Sequence, residues 1–338
     1  MVPLRQKRWF ESPGWQRTIF EPLQRKVEAL NQRPCRASGR GPSLKANYPE
    51  SFDSIALWAK ASNIRPSEAR VRFAQGAILS AIANSRSLKS ILVFKGGNAL
   101  DFVWQPNRST EDLDFSSEDS SIDEAQLEKK LTDTLTATGR KLGILFRINS
   151  IKRQPPGPGK TYILYAVRVG YALPDDPQNR DRIERQEPSK AIVLLEISLN
   201  ECICESTLVD FGPGTSLKVS TREDIVAEKL RALLQQALRN RTRQQDLLDI
   251  AVLIRSGAEL DIKRISEYLL LKAEARNVPV SKQAFQNPEV RDRARADYDA
   301  LESSTRRLFI PFNESWELLM ELVARLEIPA QSTISVSL

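Results

Sequence analysis

The chain has 338 residues, 41% of them hydrophobic, and 50 Lys and Arg against 43 Asp and Glu give a formal net charge of +7. That length and apolar content can fill two packed cores, and no apolar run approaches the roughly 18 residues that a membrane helix needs. Histidine is absent, which excludes Ser-His and Cys-His nucleophilic catalysis, His-ligated zinc and histidine general bases, and leaves chemistry run by metals, carboxylates, lysine and arginine.

Residues 1–50 hold ten Lys and Arg against four Asp and Glu, so nearly all of the net charge sits there. In this arm Trp9, Phe10, Trp15 and Phe20 alternate with Arg5, Lys7, Arg8 and Arg17, pairing charge for phosphates with faces for base stacking. The alternative is a basic extension that packs on the body through its aromatics. No apolar signal core follows the initiating methionine, so the expected address is the cytoplasm. Cys35, Cys202 and Cys204 are odd in number and lack the second pair of a zinc site, so they read as free thiols. Amphipathic helical sequence runs over 52–85.

A short apolar run, Ile91, Leu92, Val93 and Phe94, stops at Lys95-Gly96-Gly97, and Asp112-Leu113-Asp114 follows. On a strand, side chains at i and i+2 share a face, so Asp112 and Asp114 project together while Leu113 turns into the core. Two adjacent carboxylates repel, and a hard cation such as Mg²⁺ relieves this while keeping places for substrate phosphates and water. The Gly96-Gly97 step lets backbone amides approach an anion with no Cβ in the way. Each half has a plainer reading, an ordinary turn and a solvated strand edge. Their order and spacing together predict a site for a nucleoside triphosphate with Mg²⁺ or Mn²⁺.

Residues 144–153 and 161–171 read as strands joined by Pro155-Pro156-Gly157-Pro158-Gly159, hence a hairpin. The polar, Pro-interrupted stretch 172–190 reads as a long surface loop. Residues 191–199 form a third β run interrupted by Glu196. A lone acid in a buried strand is costly without a cation, so Glu196 is either a third metal carboxylate or a strand-edge residue facing solvent. From Ser220 the pattern is helical to the end. Ser220 and Glu223 make a capping box ahead of the stripe Val226, Leu230, Leu233, Leu234 and Ala237. Lys229 flanks that stripe, where the pattern alone favours a side chain snorkelling to water.

A basic cluster, Arg231, Arg239, Arg241 and Arg243, precedes a helix beginning near Gln244, and suits a polyanionic acceptor such as RNA. On that helix Asp246 shares a face with Ile250 and Leu253, as an N-terminal cap or as a buried partner for a cation such as Lys229. The last helix starts near Asn313 with the stripe Trp316, Leu319, Met320, Val323 and Leu326.

The run FKGGNAL followed by RSTEDLDF resembles the AbiEii/AbiGii (MenT-like) group of nucleotidyltransferase toxins, a branch of the DNA polymerase β-like nucleotidyltransferase superfamily, with Asn98 standing where that group more often has Thr or Ser. The resemblance implies an α+β fold, a nucleotidyltransferase core with a mixed sheet followed by a mostly helical C-terminal domain. Expected boundaries are a basic extension over 1–50, the catalytic domain over 51–218 and the helical domain over 219–338. It also implies roles: Asp112, Asp114, Lys229 and Asp246 as catalytic residues, with Asp112, Asp114 and Glu196 as metal ligands. Lys95, Gly96, Gly97, Asn98, Arg108, Ser109 and Lys229 would bind the nucleotide. Asp246 orients Lys229 or helps activate the acceptor, while Asp249 reads as structural. The implied activity is transfer of a nucleotide to RNA, such as the 3′ end of tRNA, by a toxin paired with a cognate antitoxin. A protein or small-molecule acceptor, and a non-catalytic nucleotide- or RNA-binding module, are the alternatives.

Overall fold

A computed structural model describes residues 47–331, except 109, 158, 159, 161, 213 and 214. The aromatic, basic arm up to position 46, with Cys35, and Ser109 lie outside the described residues.

The expected helical stretch at 52–85 is two helices, α1 (Ile55–Ser62) and α2 (Pro66–Asn84). Pro66 occupies the first turn of α2, where a missing N–H costs nothing, and Phe73, Ile78, Leu79 and Ile82 on α2 are buried. A single turn, α3 (Arg86–Lys89), leads into β1 (Leu92–Lys95). The chain then turns directly into α4 (Gly96–Ala99), continued by a π-helical turn over Leu100–Trp104, before β2 (Asp112–Ser117). Helix α5 (Glu124–Leu142) starts where Asp123 accepts the Gln126 N–H and ends at the left-handed Gly143, an N-cap and a C-cap of the usual chemistry.

Strands β3 (Leu145–Gln154) and β4 (Ile163–Ala172) form the expected antiparallel hairpin. The stretch expected as a loop at 172–190 instead contains a helix, α6 (Pro177–Glu184). Asp176 caps it by accepting the Asn179 N–H and Pro177 stands at its start, so local start signals form a helix that has no apolar stripe to announce it. Strand β5 (Ile192–Leu199) follows, then a hairpin of β6 (Ser206–Gly212) and β7 (Thr215–Ser220) that the sequence pattern does not announce.

The remainder is helical: α7 (Arg222–Arg239), α8 (Gln244–Arg255), α9 (Ile262–Arg276), α10 (Lys282–Phe285), α11 (Pro288–Arg295), a 3₁₀ turn over Tyr298–Ser304, and α12 (Phe312–Arg325). The N-cap of α7 is Thr221, which accepts the Asp224 N–H, so the helix starts one residue later than a Ser220 cap would place it. Leu319, Val323 and Leu326 of the expected last stripe are buried, with Trp316 and Met320 packed beside them.

The seven strands make one mixed sheet in the order β3-β4-β5-β2-β1-β7-β6. At its centre β1 runs antiparallel to β2 and parallel to β7, and β2 runs parallel to β5. The central side chains Val93, Phe94, Leu113 and Phe115 are fully buried, which fixes the register because a slip by one residue would turn Asp112 and Asp114 into the core. One continuous hydrophobic core joins α1 and α2, the sheet and the C-terminal helices, from Ile55 to Ile328. Among the described residues no helix is long and apolar enough to cross a membrane.

Candidate active site

The central strands bring three carboxylates together. Asp112 and Asp114 share one face of β2, and the β2–β5 register sets Glu196 directly opposite Asp114. One oxygen from each of Asp112, Asp114 and Glu196 lies within 4.8 Å of the others. Among the described residues none of the three forms an ion pair. Burial, reinforced by Asp112, pushes the Asp114 carboxyl up to about 7, with Lys95 pulling the other way. Burial and Asp112 also raise Glu196. Three hard oxygen donors in mutual repulsion fit Mg²⁺ or Mn²⁺ by donor chemistry. The neighbouring glycine is shaped to the same cluster: Gly96 has φ +73°, and a Cβ there would lie 2.3 Å from Asp114 Oδ2.

Lys95, next to the triad, is held from behind. Its Nζ donates to Glu201 and, at 3.3 Å, to Ser198 Oγ, while Ser116 Oγ donates to Glu201 at 2.6 Å. Burial opposes ionisation of Glu201, but Lys95 and Arg276 outweigh it and hold this carboxyl well below the usual range. The charge of Lys95 therefore stays beside the three acids, in the cleft wall.

Asn98 stands elsewhere. It is fully buried, its Nδ2 donates to the Thr110 and Asp112 carbonyls, and its Oδ1 accepts from Arg72 at 3.1 Å. Its amide is thus spent on backbone, and only Gly96 and Gly97 of that turn line the cleft. Arg108 also lines the cleft, with its guanidinium donating to Asp249 at 3.0 and 3.3 Å.

Lys229 does not snorkel. It is 6% exposed, and its Nζ lies 2.8 Å from both Asp246 and Asp249. Burial disfavours its charge, yet the two carboxylates outweigh that and raise its pKa. Asp249 is likewise held below the usual carboxylate range, because Arg108 and Lys229 outweigh its burial. One salt-bridged chain, Arg108–Asp249–Lys229–Asp246, thereby ties α7 and α8 to the segment that precedes β2. Asp249 was legible only as the residue three positions after Asp246, on the same helix face.

Asp112, Asp114, Glu196, Lys95, Gly96, Gly97, Arg108, Lys229 and Asp246 all border one cleft of about 840 Å³. The acids share its lining with Arg231, Arg239, Arg241, Arg243 and Arg276. Arg231 is engaged by Glu228 and Gln235, and Arg276 stacks over the Tyr162 ring at 3.5 Å. Burial, together with the like charges of Arg276, Arg231 and Arg241, lowers the Arg239 pKa.

The chain matches the family model described as nucleotidyl transferase AbiEii toxin, type IV toxin–antitoxin system, over residues 77–321. No curated protein sequence matches it. Among solved structures it is similar to MenT4, a nucleotidyltransferase toxin from Mycobacterium tuberculosis, with a TM-score of 0.52 and 18% identity over 80% of this chain and 88% of that one. It also matches JHP933 from Helicobacter pylori, with a TM-score of 0.41 and 17% identity over 74% and 87% of the two chains. At such identity the MenT4 likeness speaks for the fold, and the family match covers the acid triad, Lys229 and Asp246 alike. The chain is a nucleotidyltransferase and belongs to the AbiEii family of toxins.

Proposed function

We propose that the protein moves a nucleoside monophosphate from a nucleoside triphosphate onto an RNA hydroxyl, such as the 3′ end of a tRNA, in a reaction that needs Mg²⁺ or Mn²⁺. The observation that carries this reading is that three converging carboxylates and five arginines line one and the same cleft. Acids alone would suit a metal, and arginines alone a polyanion; transfer of a nucleotide to RNA uses both.

When bound by Asp112, Asp114 and Glu196, the cation would neutralise triphosphate charge and leave the α-phosphorus open to attack. Gly96 and Gly97 admit phosphate oxygens close to the backbone. Lys229 would meet the charge that grows on departing pyrophosphate, and its bond to Asp246 favours an orienting role for that acid over proton abstraction. The acceptor hydroxyl attacks the α-phosphorus and gives up its proton to solvent water, and the bond to the bridging oxygen of pyrophosphate breaks as pyrophosphate leaves. Most of the gain in such an in-line displacement comes from positioning and charge neutralisation. Arg239, Arg241 and Arg243 would hold the acceptor backbone. A cytoplasmic toxin neutralised by a cognate antitoxin protein is the setting that fits this chemistry and this family.

The test is incubation of purified protein with total tRNA, Mg²⁺ and each nucleoside triphosphate labelled at its α-phosphate, beside the Asp114→Ala protein. Label on RNA with the wild type and none with the variant is the expected result. Label on protein would replace RNA as the acceptor class, and label on neither would end the transfer reading.

A further inference from the structure

Strand β1 ends at Lys95, opposite Asp114, and the chain leaves the sheet at Gly96. On its β1 side, among the described residues, no strand lies beside Asp112 or the two residues before it, although β5 still pairs Asp112 with Leu194 on the other side. Carbonyls along that unpaired edge need donors other than a neighbouring strand. Two side-chain amides supply them. Gln75, on α2, donates from Nε2 to the Thr110 carbonyl at 3.0 Å and the Glu111 carbonyl at 3.3 Å. Asn98 donates from Nδ2 to the Thr110 carbonyl at 3.0 Å and to the Asp112 carbonyl. Gln75 is 1% exposed and Asn98 0%.

The Asn98 amide is not free to turn. Arg72 Nη1 holds Asn98 Oδ1, and Arg72 is itself fixed by Asp101 at 2.7 Å, by the Asn47 carbonyl at 3.0 Å and by the Phe102 ring at 3.2 Å. We infer that Gln75 and Asn98 are positioning residues that act as a surrogate strand, setting the place of Asp112 and, through the pleat, of Asp114, and so the fit of the acid cluster to its divalent cation. An apolar side chain at either position would remove part of these donors and loosen the hold on Asp112 beside Asp114 and Glu196. This rests on reading Asp112 and Asp114 as metal ligands.

Mn²⁺ binding to the nucleotide-free protein, followed by electron paramagnetic resonance, tests both layers without relying on turnover. Gln75→Met keeps the side-chain length and removes both hydrogen bonds; Asn98→Thr keeps one hydroxyl donor and is the milder change. The expected result is Mn²⁺ affinity about tenfold weaker for Gln75→Met, with a smaller loss for Asn98→Thr, in the range typical of removed outer partners of metal ligands. Turnover should fall with kcat at a fixed metal concentration and recover at excess Mn²⁺, while the KM for triphosphate changes little. Asp114→Ala should bind no Mn²⁺ at the site; if it binds as the wild type does, the metal reading itself fails. If Asp114→Ala loses Mn²⁺ but Gln75→Met and Asn98→Thr bind it with wild-type affinity, or if both of these variants unfold, the amides serve stability alone and the inference is overturned.

Discussion

Replacing Asp114 by Asn should stabilise the metal-free protein while ending its chemistry, and the size of that gain follows from the site. In the folded state burial and Asp112 hold the Asp114 carboxyl up at about 7, against 3.8 for an unperturbed one. The folded form thus keeps a proton that the unfolded chain releases, so this group costs stability as pH rises from about 4 through 7. The full cost is about 1.6 kcal/mol at pH 5 and about 4 kcal/mol at pH 8. Asp114 is half-buried, and water that reaches it screens part of the repulsion, so removing the charge at pH 8 should gain about 1–2 kcal/mol, or roughly 2–4 °C in Tm. Thermal unfolding of both proteins in EDTA at pH 8 and pH 5 measures this, with a larger gap expected at pH 8. Mg²⁺ at a hundredfold excess over its Kd should then raise the wild type by about 2.7 kcal/mol and the variant by far less. An Asp114→Asn protein that melts below the wild type at pH 8, or a gap that does not shrink at pH 5, would refute the repulsion and the physical ground for a cation there.

Other changes reach the rest of the site. Lys229→Met leaves Asp246 and Asp249 buried without their shared cation, and should cost about 3–5 kcal/mol in urea unfolding along with triphosphate use; a loss under about 1 kcal/mol would mean that the cluster relaxes and that Lys229 is not its keystone. Gly96→Ala forces a left-handed backbone position onto a residue with a Cβ, at about 1–2 kcal/mol, and drives that Cβ into Asp114. Mn²⁺ binding should fall with it, and unchanged binding would show that the Asp114 carboxylate is free to move. Arg239→Ala combined with Arg241→Ala should lower the salt dependence of RNA binding by about two in slope; an unaltered slope would take the acceptor away from those arginines.

What the sequence made legible was local. The Gly96-Gly97 turn and the Asp112-Leu113-Asp114 strand each lie within a few residues and obey the two-residue period, so their shared face could be read before any fold was known. Glu196 reached the site through a strand pairing, and its sequence left two readings that only the register of β2 on β5 separates. Asn98 comes to the nucleotide only through the family resemblance, at a position where that group more often has Thr or Ser. Its partners are backbone carbonyls 12 and 14 residues later and an arginine one helix away, contacts that no spacing announces. Gln75 carried no signal, since one glutamine in a helix is ordinary. For Lys229 the pattern alone favours water and the family resemblance a place in the site; in the structure two acids from the next helix hold it. Helix α6 was hidden because its caps, rather than an apolar stripe, start it.

The salt-bridged chain from Arg108 through Asp249 to Lys229 and Asp246 also has a consequence for synthesis. The acid triad is complete once β5 has been made, but Lys229, Asp246 and Asp249 come from α7 and α8, which are made later. No growing chain that ends before α8 contains the whole proposed site, and Arg108 and Lys229 lack their common acid until Asp249 has been added. A ribosome making this toxin thus carries an incomplete enzyme for most of its passage along the message. Fragments parted between β7 and α7 would hold the acid triad in one and Lys229 with Asp246 and Asp249 in the other, and neither the whole site.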